Sequence, residues 1–177
     1  MLRNLQLSQV YKFIEPGPVV LLTTAQKGCP NVMAMSWHMM MEFNPPLIAC
    51  IVSGANHSFA ALRKTGECVI AIPTVELASL VVKIGNLSGS DVDKFETLGL
   101  VSKAAALVSA PLLTDCYVNL ECKVTDTTFV RKYNLFVLEV VKAWVDRAKR
   151  NPKTIHHKGF GTFTVDGETF RLRSKKP

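Results

Sequence analysis

Asn31-Val32-Met33-Ala34-Met35-Ser36-Trp37-His38, then Pro45-Pro46-Leu47-Ile48-Ala49-Cys50-Ile51-Val52-Ser53, then Asn56-His57-Ser58, is the stretch from which the fold is read. Two apolar runs of strand length end in polar and aromatic groups, and a helix start follows. Phe43-Asn44-Pro45-Pro46 reads as a turn, because proline fixes φ and removes a donor. His57 to Thr65 reads as a helix: Phe59 and Leu62 share a face, Arg63 and Lys64 occupy the last turn, and Gly66 stops it. Asn56 or Ser58 is its N-cap.

Upstream, Val19 to Thr24 is a continuous apolar, β-branched run and so a buried strand. Gln26-Lys27-Gly28-Cys29-Pro30 carries turn chemistry, which makes Asn31 to Trp37 the returning arm of a hairpin. Leu2 to Ile14 is weakly patterned and reads as an arm or short helix, broken by Pro16-Gly17-Pro18.

Downstream, Glu67 to Ile72 is a strand ended by Pro73. A second helix is expected from Thr74 through Ile84 with Gly85 as its stop, and a third from Asp91 to Leu98 with Gly99 after it. Leu100 to Leu113 has no clear assignment, and Pro111 argues against a long helix there. Tyr117 to Thr125 alternates as a strand should, and Tyr133 to Val145 is a longer strand. Phe163 to Phe170 reads as a hairpin about Asp166-Gly167. Many strands, few helices and short connections predict a mainly β fold, a closed antiparallel barrel with a few peripheral helices. The lack of regular strand–helix alternation argues against a doubly wound sheet.

At 177 residues the chain fits one domain, 1–177, with residues 1–15 as an N-terminal arm and 171–177 as a basic tail. Hydrophobic residues are 48% and charged residues 20%, a globular balance that argues against disorder. The net charge of +7 is partly local: Arg147, Lys149 and Arg150 cluster, as do Arg171, Arg173, Lys175 and Lys176. No nucleic-acid recognition motif accompanies that charge, so no nucleic-acid partner is expected and the excess reads as a basic surface and tail. Five cysteines without a close pair make a poor disulfide framework and suit a reducing compartment. Neither a signal-peptide core nor an apolar run near the ~20 residues of a membrane helix appears, so a cytoplasmic protein without membrane association is expected.

Most chemical signatures are missing from the sequence. Gly159-Phe160-Gly161 begins like a dinucleotide fingerprint, but Thr164 stands at the third glycine position. There is no phosphate loop, no nucleophile elbow, no zinc spacing and no paired-carboxylate signature, so no catalytic side chain and no metal ligand is assigned.

What remains is the opening stretch and its sequel. Asn31, Met33, Ser36 and Trp37, then Pro45-Pro46, His57-Ser58, Gly66-Glu67 with Pro73, and Asp93-Lys94-Phe95 occur in an order and spacing that resembles the flavoredoxin and flavin reductase-like family. The likeness runs from about Gly17 to Val141 and extends toward Phe163. It is carried by the ordered set, since each element alone has a plain structural reading. The resemblance implies a split β-barrel of Greek-key type binding FMN without a covalent bond, usually as a homodimer with flavin near the subunit interface. It implies cofactor contacts from Asn31, Met35, Ser36, Trp37, His38 and Ser53, from Asn56, His57 and Ser58, and from Lys94, Phe95 and Tyr133. The family often has a histidine where Tyr133 stands, and tyrosine does not titrate near neutral pH. A C-terminal aromatic, Phe160 or Phe163, would touch the ring.

Those residue types suit such a ligand. A phosphate favours the free N–H groups and dipole of a helix start, here Asn56 to Ser58, with charge from Lys94. A flat ring favours an amphipathic wall such as Trp37, and Asn31 and Ser36 can bond ring or ribityl oxygens. Two functions follow from the resemblance. One is an oxidoreductase taking electrons from NAD(P)H or another donor, including a redox protein, and passing them to flavin, ferric iron or a redox partner. The other is an electron carrier without turnover of its own.

Overall fold

The structure, a computed structural model, describes residues 2–10 and 17–173. Part of the expected N-terminal arm and the end of the basic tail therefore lie outside the described residues. The strands are β1 (Leu2–Leu5), β2 (Val20–Gln26), β3 (Cys29–Met35), β4 (His38–Phe43), β5 (Pro46–Ile51), β6 (Glu67–Ile72), β7 (Ser102–Lys103), β8 (Leu112–Leu113), β9 (Val118–Asp126), β10 (Leu135–Asp146), β11 (Ile155–Gly159) and β12 (Thr162–Val165). The α-helices are α1 (His57–Thr65), α2 (Ala78–Asn86), α3 (Lys94–Leu98) and α4 (Val130–Tyr133).

The main sheet is antiparallel and runs β3-β2-β6-β9-β10-β5-β4. β10 is long enough to be shared along one edge, with Leu135 to Glu139 on β5 and Ala143 to Asp146 on β1. Register shifts in the β9–β10 ladder bend this pair, as bulges do. The two end strands, β3 and β4, are consecutive in the chain and joined only by Ser36 and Trp37. One buried cluster holds Leu22 of β2, Met35 of β3, Ile48 of β5, Ile70 of β6, Leu120 of β9 and Leu138 of β10, so the sheet wraps around a common interior. This is the split antiparallel barrel expected from the sequence, mainly β with few helices.

The central strands read as unbroken apolar runs because both faces are buried. Val20 and Leu22 point into the barrel, while Val19 and Leu21 pack outward with Val81 and Ile84 of α2. Phe59 of α1 meets Phe136 edge-on at 5.6 Å, fixing that helix across the barrel. Cys50, Cys68 and Cys122 fill the barrel core as free thiols. Burial pushes the Cys50 thiol far up, and contact with Cys122 followed by burial does the same for Cys68, which makes both inert hydrophobes.

Several boundaries differ from the sequence reading. Residues 39–42, expected as part of a connection, form β4, an edge strand whose methionines carry little β preference. The expected second helix splits into a 3-10 turn, Val75–Leu77, and α2; Gly85 lies inside α2, because the helix continues to Asn86. The third helix starts at Lys94, where Asp93 caps it by accepting from the Phe95 and Glu96 amides. Tyr133 belongs to α4 and not to β10. The expected hairpin about Asp166-Gly167 is not formed. β11 and β12 turn instead at Phe160-Gly161, both at positive φ, while Asp166 ties back to Thr154 and His156. The unassigned Leu100 to Leu113 holds the short β7–β8 pair and is tied down by the buried Glu121 carboxylate, which accepts from the Ala106 and Leu107 amides and from Trp144 Nε1.

Candidate functional site

α2 lies against β3, and the first turn of α1 faces the loop 87–90 that leaves α2. Lys94 holds this arrangement together. It is only 4% exposed, and its ammonium donates to the carbonyls of Val32 on β3 and Ile84 on α2, both at 2.9 Å. Burial lowers its pKa. Two of its three donors are thus engaged in a strut between the walls of the site, so Lys94 is a fixed structural cation rather than a free arm.

Between these elements lie two adjoining compartments. The polar one, of about 270 Å³, is lined by Asn31, by Ala55 to Ser58, by Ile84 to Gly89 and by Lys94. It sits at the start of α1, whose N-cap Asn56 makes no side-chain capping bond. The first N–H groups of a helix have no intrahelical partner, and this end favours negative charge. Ser58 is buried, and its hydroxyl oxygen accepts from Asn31 Nδ2 at 2.8 Å. With that lone pair engaged, the Ser58 O–H is left to donate. His57 Nδ1 contacts Ser90 Oγ at 3.0 Å and fixes the outer rim. A Cβ on Gly89 would stand 2.3 Å from Asn31 Oδ1 and 2.9 Å from His57 Cδ2, so the backbone of the loop forms a cradle open only to glycine.

The second compartment, about 240 Å³, is mainly apolar. Val19, Met35 and Ser36 form one side and Val81 and Val82 of α2 another. The β11–β12 hairpin supplies the third through His157, Gly161 and Phe163. That hairpin is held by its roots: Val19 N donates to Ile155 O at 2.7 Å, and Ile155 and Phe163 pack into the outer apolar cluster. The His157 and Phe163 rings meet at a tilt of 48° with centroids 5.4 Å apart. Ala34, Gly85 and Asn86 line both compartments and form the neck between them. Together the two fall in the roughly 300–1,000 Å³ range of clefts for drug-sized and cofactor-sized ligands.

The structure thus gathers Asn31, Asn56, His57, Ser58 and Lys94 into one compartment, and Met35 and Ser36 into its neighbour. It places the other expected residues elsewhere. Phe95 of α3 packs against the outer core. Ser53 caps the turn before α1 by accepting from Ala55 N. Trp37 is 69% exposed beside the edge strand β4. Tyr133 is exposed at the end of α4 against Phe129. Phe160 stands wholly in solvent at the hairpin tip, while Phe163 of β12 turns inward. His38 Nε2 is 2.7 Å from Pro18 O, which fixes the Nε2–H tautomer and leaves Nδ1 buried without a partner. Sequence reasoning missed His157, Gly89 and the α2 valines. The alternation of His156 and His157 on a strand, one facing Asp166 and one facing the pocket, was the available signal.

A family model described as a flavin reductase like domain matches residues 13–164. An uncharacterised protein of Archaeoglobus fulgidus is 32% identical over 144 residues, covering 77% of this chain and 81% of its own. The uncharacterised protein YddH of Escherichia coli is 29% identical over 180 residues, covering 93% and 94%. Among solved structures, an FMN-binding domain of a flavin reductase-like enzyme from Shewanella baltica is 26% identical, with a TM-score of 0.92 over 98% of each chain. Flavoredoxin of Desulfovibrio vulgaris is 23% identical with a TM-score of 0.80, covering 90% of this chain and 92% of its own, a likeness of fold.

Proposed function

The chain belongs to the flavin reductase-like domain family, and from that premise we propose that it binds FMN across the two compartments and works as an oxidoreductase. Its electrons would come from NAD(P)H or another reductant and pass to flavin, ferric iron or a redox partner. The observation that carries this reading is the junction of a polar, uncapped helix start with an apolar slot through the small-residue neck Ala34–Gly85.

The residues present fit the group. Ser58 O–H and the first amides of α1 would hold the phosphate, Lys94 would lend its charge from its fixed place, and the bond from Asn31 would leave the Ser58 hydroxyl to donate. The bare backbone at Gly89, which lies close to Asn31 and His57, would keep the polar compartment open to the phosphate end of the cofactor. Val19, Val81, Val82 and Phe163 would exclude water from the ring and hold it flat. The bound flavin supplies the redox chemistry, and the protein supplies binding, orientation and electrostatics. Titrating the purified chain with FMN and following flavin fluorescence should give saturation at one FMN per chain; no uptake overturns the proposal.

A second reading, an electron carrier without turnover, is favoured by the scarcity of reactive side chains around the ring slot. His157 is its one titratable lining residue among the described residues. Anaerobic mixing separates the two: rapid bleaching by NADH or NADPH supports the reductase, and bleaching by dithionite alone supports the carrier. The resemblance to this family also supports a homodimer. Trp37, Met39, Met41 and Phe43 form an exposed apolar row along β4, and we place the second copy on this edge.

A further inference from the structure

The charge of this chain is sharply segregated. Residues 1–141 hold 11 Lys and Arg against 11 Asp and Glu, so residues 142–177 hold ten against three and carry the whole excess of +7. In the fold its described residues are the end of β10, the loop to β11, the β11–β12 hairpin and the run that follows to Arg173. The same hairpin is the third wall of the ring slot. Arg147, Arg150, Lys153, Lys158, Arg171 and Arg173 are all exposed. Among the described residues none of the six forms an ion pair, whereas His156 pairs with Asp166. Ten cations against three anions leave this segment with a net positive field, and such a field steers an oppositely charged partner.

The hairpin tip adds an apolar contact point. Phe160 is fully exposed next but one to Lys158, with φ of 48°. A bulky residue in the left-handed region is strained, and here no internal packing offsets the strain. Exposed aromatics ringed by polar and charged groups are the usual anchors of protein interfaces.

We propose that this basic flank docks a small acidic electron-carrier protein, with Phe160 as its anchor, bringing the carrier to the hairpin wall of the ring slot. The proposal rests on the reading of that slot as a flavin site. A second copy of this chain fits the flank poorly, because a two-fold contact would bring two strongly positive segments together. A nucleic acid would meet the same charge, but nothing in its chemistry ties it to the rim of a redox pocket.

The test uses the FMN-loaded full chain and an acidic plant-type [2Fe–2S] ferredoxin as probe, with binding measured by calorimetry. A saturable one-to-one complex is expected, with Kd rising about tenfold or more between about 20 and 200 mM salt as charges are screened. The combined Arg147→Glu, Arg150→Glu and Lys153→Glu variant should bind ferredoxin about tenfold or more weakly while taking up FMN as the parent does. Absence of saturable binding at low salt, equal binding by the triple variant, or displacement of the ferredoxin by a short DNA duplex overturns the proposal. FMN uptake is read separately: a chain that binds ferredoxin but no FMN contradicts the flavin reading and supports the docking surface.

Discussion

Ser58 and Asn31 show how much one hydrogen bond directs. Asn31 sits on β3 and Ser58 on α1, and their 2.8 Å contact leaves the serine proton free for a ligand. Ser58→Ala removes a donor to a charged group, worth about 1.5–3 kcal/mol, and strands the Asn31 amide in a buried site. FMN affinity should fall roughly tenfold to a hundredfold in a fluorescence titration. Gly89→Ala should weaken FMN at least as much, because the added methyl must displace Asn31 or His57; equal affinity in the same titration would contradict the cradle. His38 gives a prediction in pH. Burial lowers its pKa, and the bond to Pro18 only partly opposes this. The folded value then lies below the unfolded one of about 6.5, so its contribution is complete above about pH 6.5 and is lost as pH falls through the folded value. Thermal melts should show an acid-side loss starting near there, and His38→Gln should flatten it.

Elements differ in how openly the sequence announces them. β2, β5, β6 and β10 were legible because β-branched and apolar runs of strand length leave little alternative, and α1 was legible from its face, its basic last turn and Gly66. β4 was hidden: Met39-Met40-Met41 has no strand signature, and only pairing with β5 makes it one. The last hairpin was misplaced because Asp166-Gly167 is a strong local turn signal, yet Asp166 is taken up by Thr154 and His156. Most of the polar compartment was readable, since Asn56-His57-Ser58 marks a helix start. The ring slot was not, because Val81, Val82 and His157 come from elements distant in sequence and meet only in the folded chain. β4 also carries the prediction for assembly. A homodimer across its apolar row should have about twice the 19.5 kDa chain mass by light scattering. Met41→Lys, which puts a charge in that row, should shift the mass to the monomer; an unchanged dimer would move the interface elsewhere.

At the scale of the molecule, the barrel is a frame that sets two unlike surfaces side by side. Its interior is filled by side chains, and the proposed ligand site lies outside it, in the layer between β3, α2 and the last hairpin. Lys94, the first residue of α3, braces that layer, and no helix among the described residues is long and apolar enough to cross a membrane. Family membership accounts for the frame, and the excess positive charge of this chain lies beyond residue 141. The central claim is that phosphate and ring are recognised by separate compartments. Parallel titration of the purified chain with FMN and with riboflavin, which lacks the phosphate, tests it most directly. The account predicts that FMN binds at least about tenfold more tightly than riboflavin, the worth of one charge-assisted bond, and that Ser58→Ala narrows the gap. Equal affinity for the two flavins, or a gap untouched by Ser58→Ala, would contradict it.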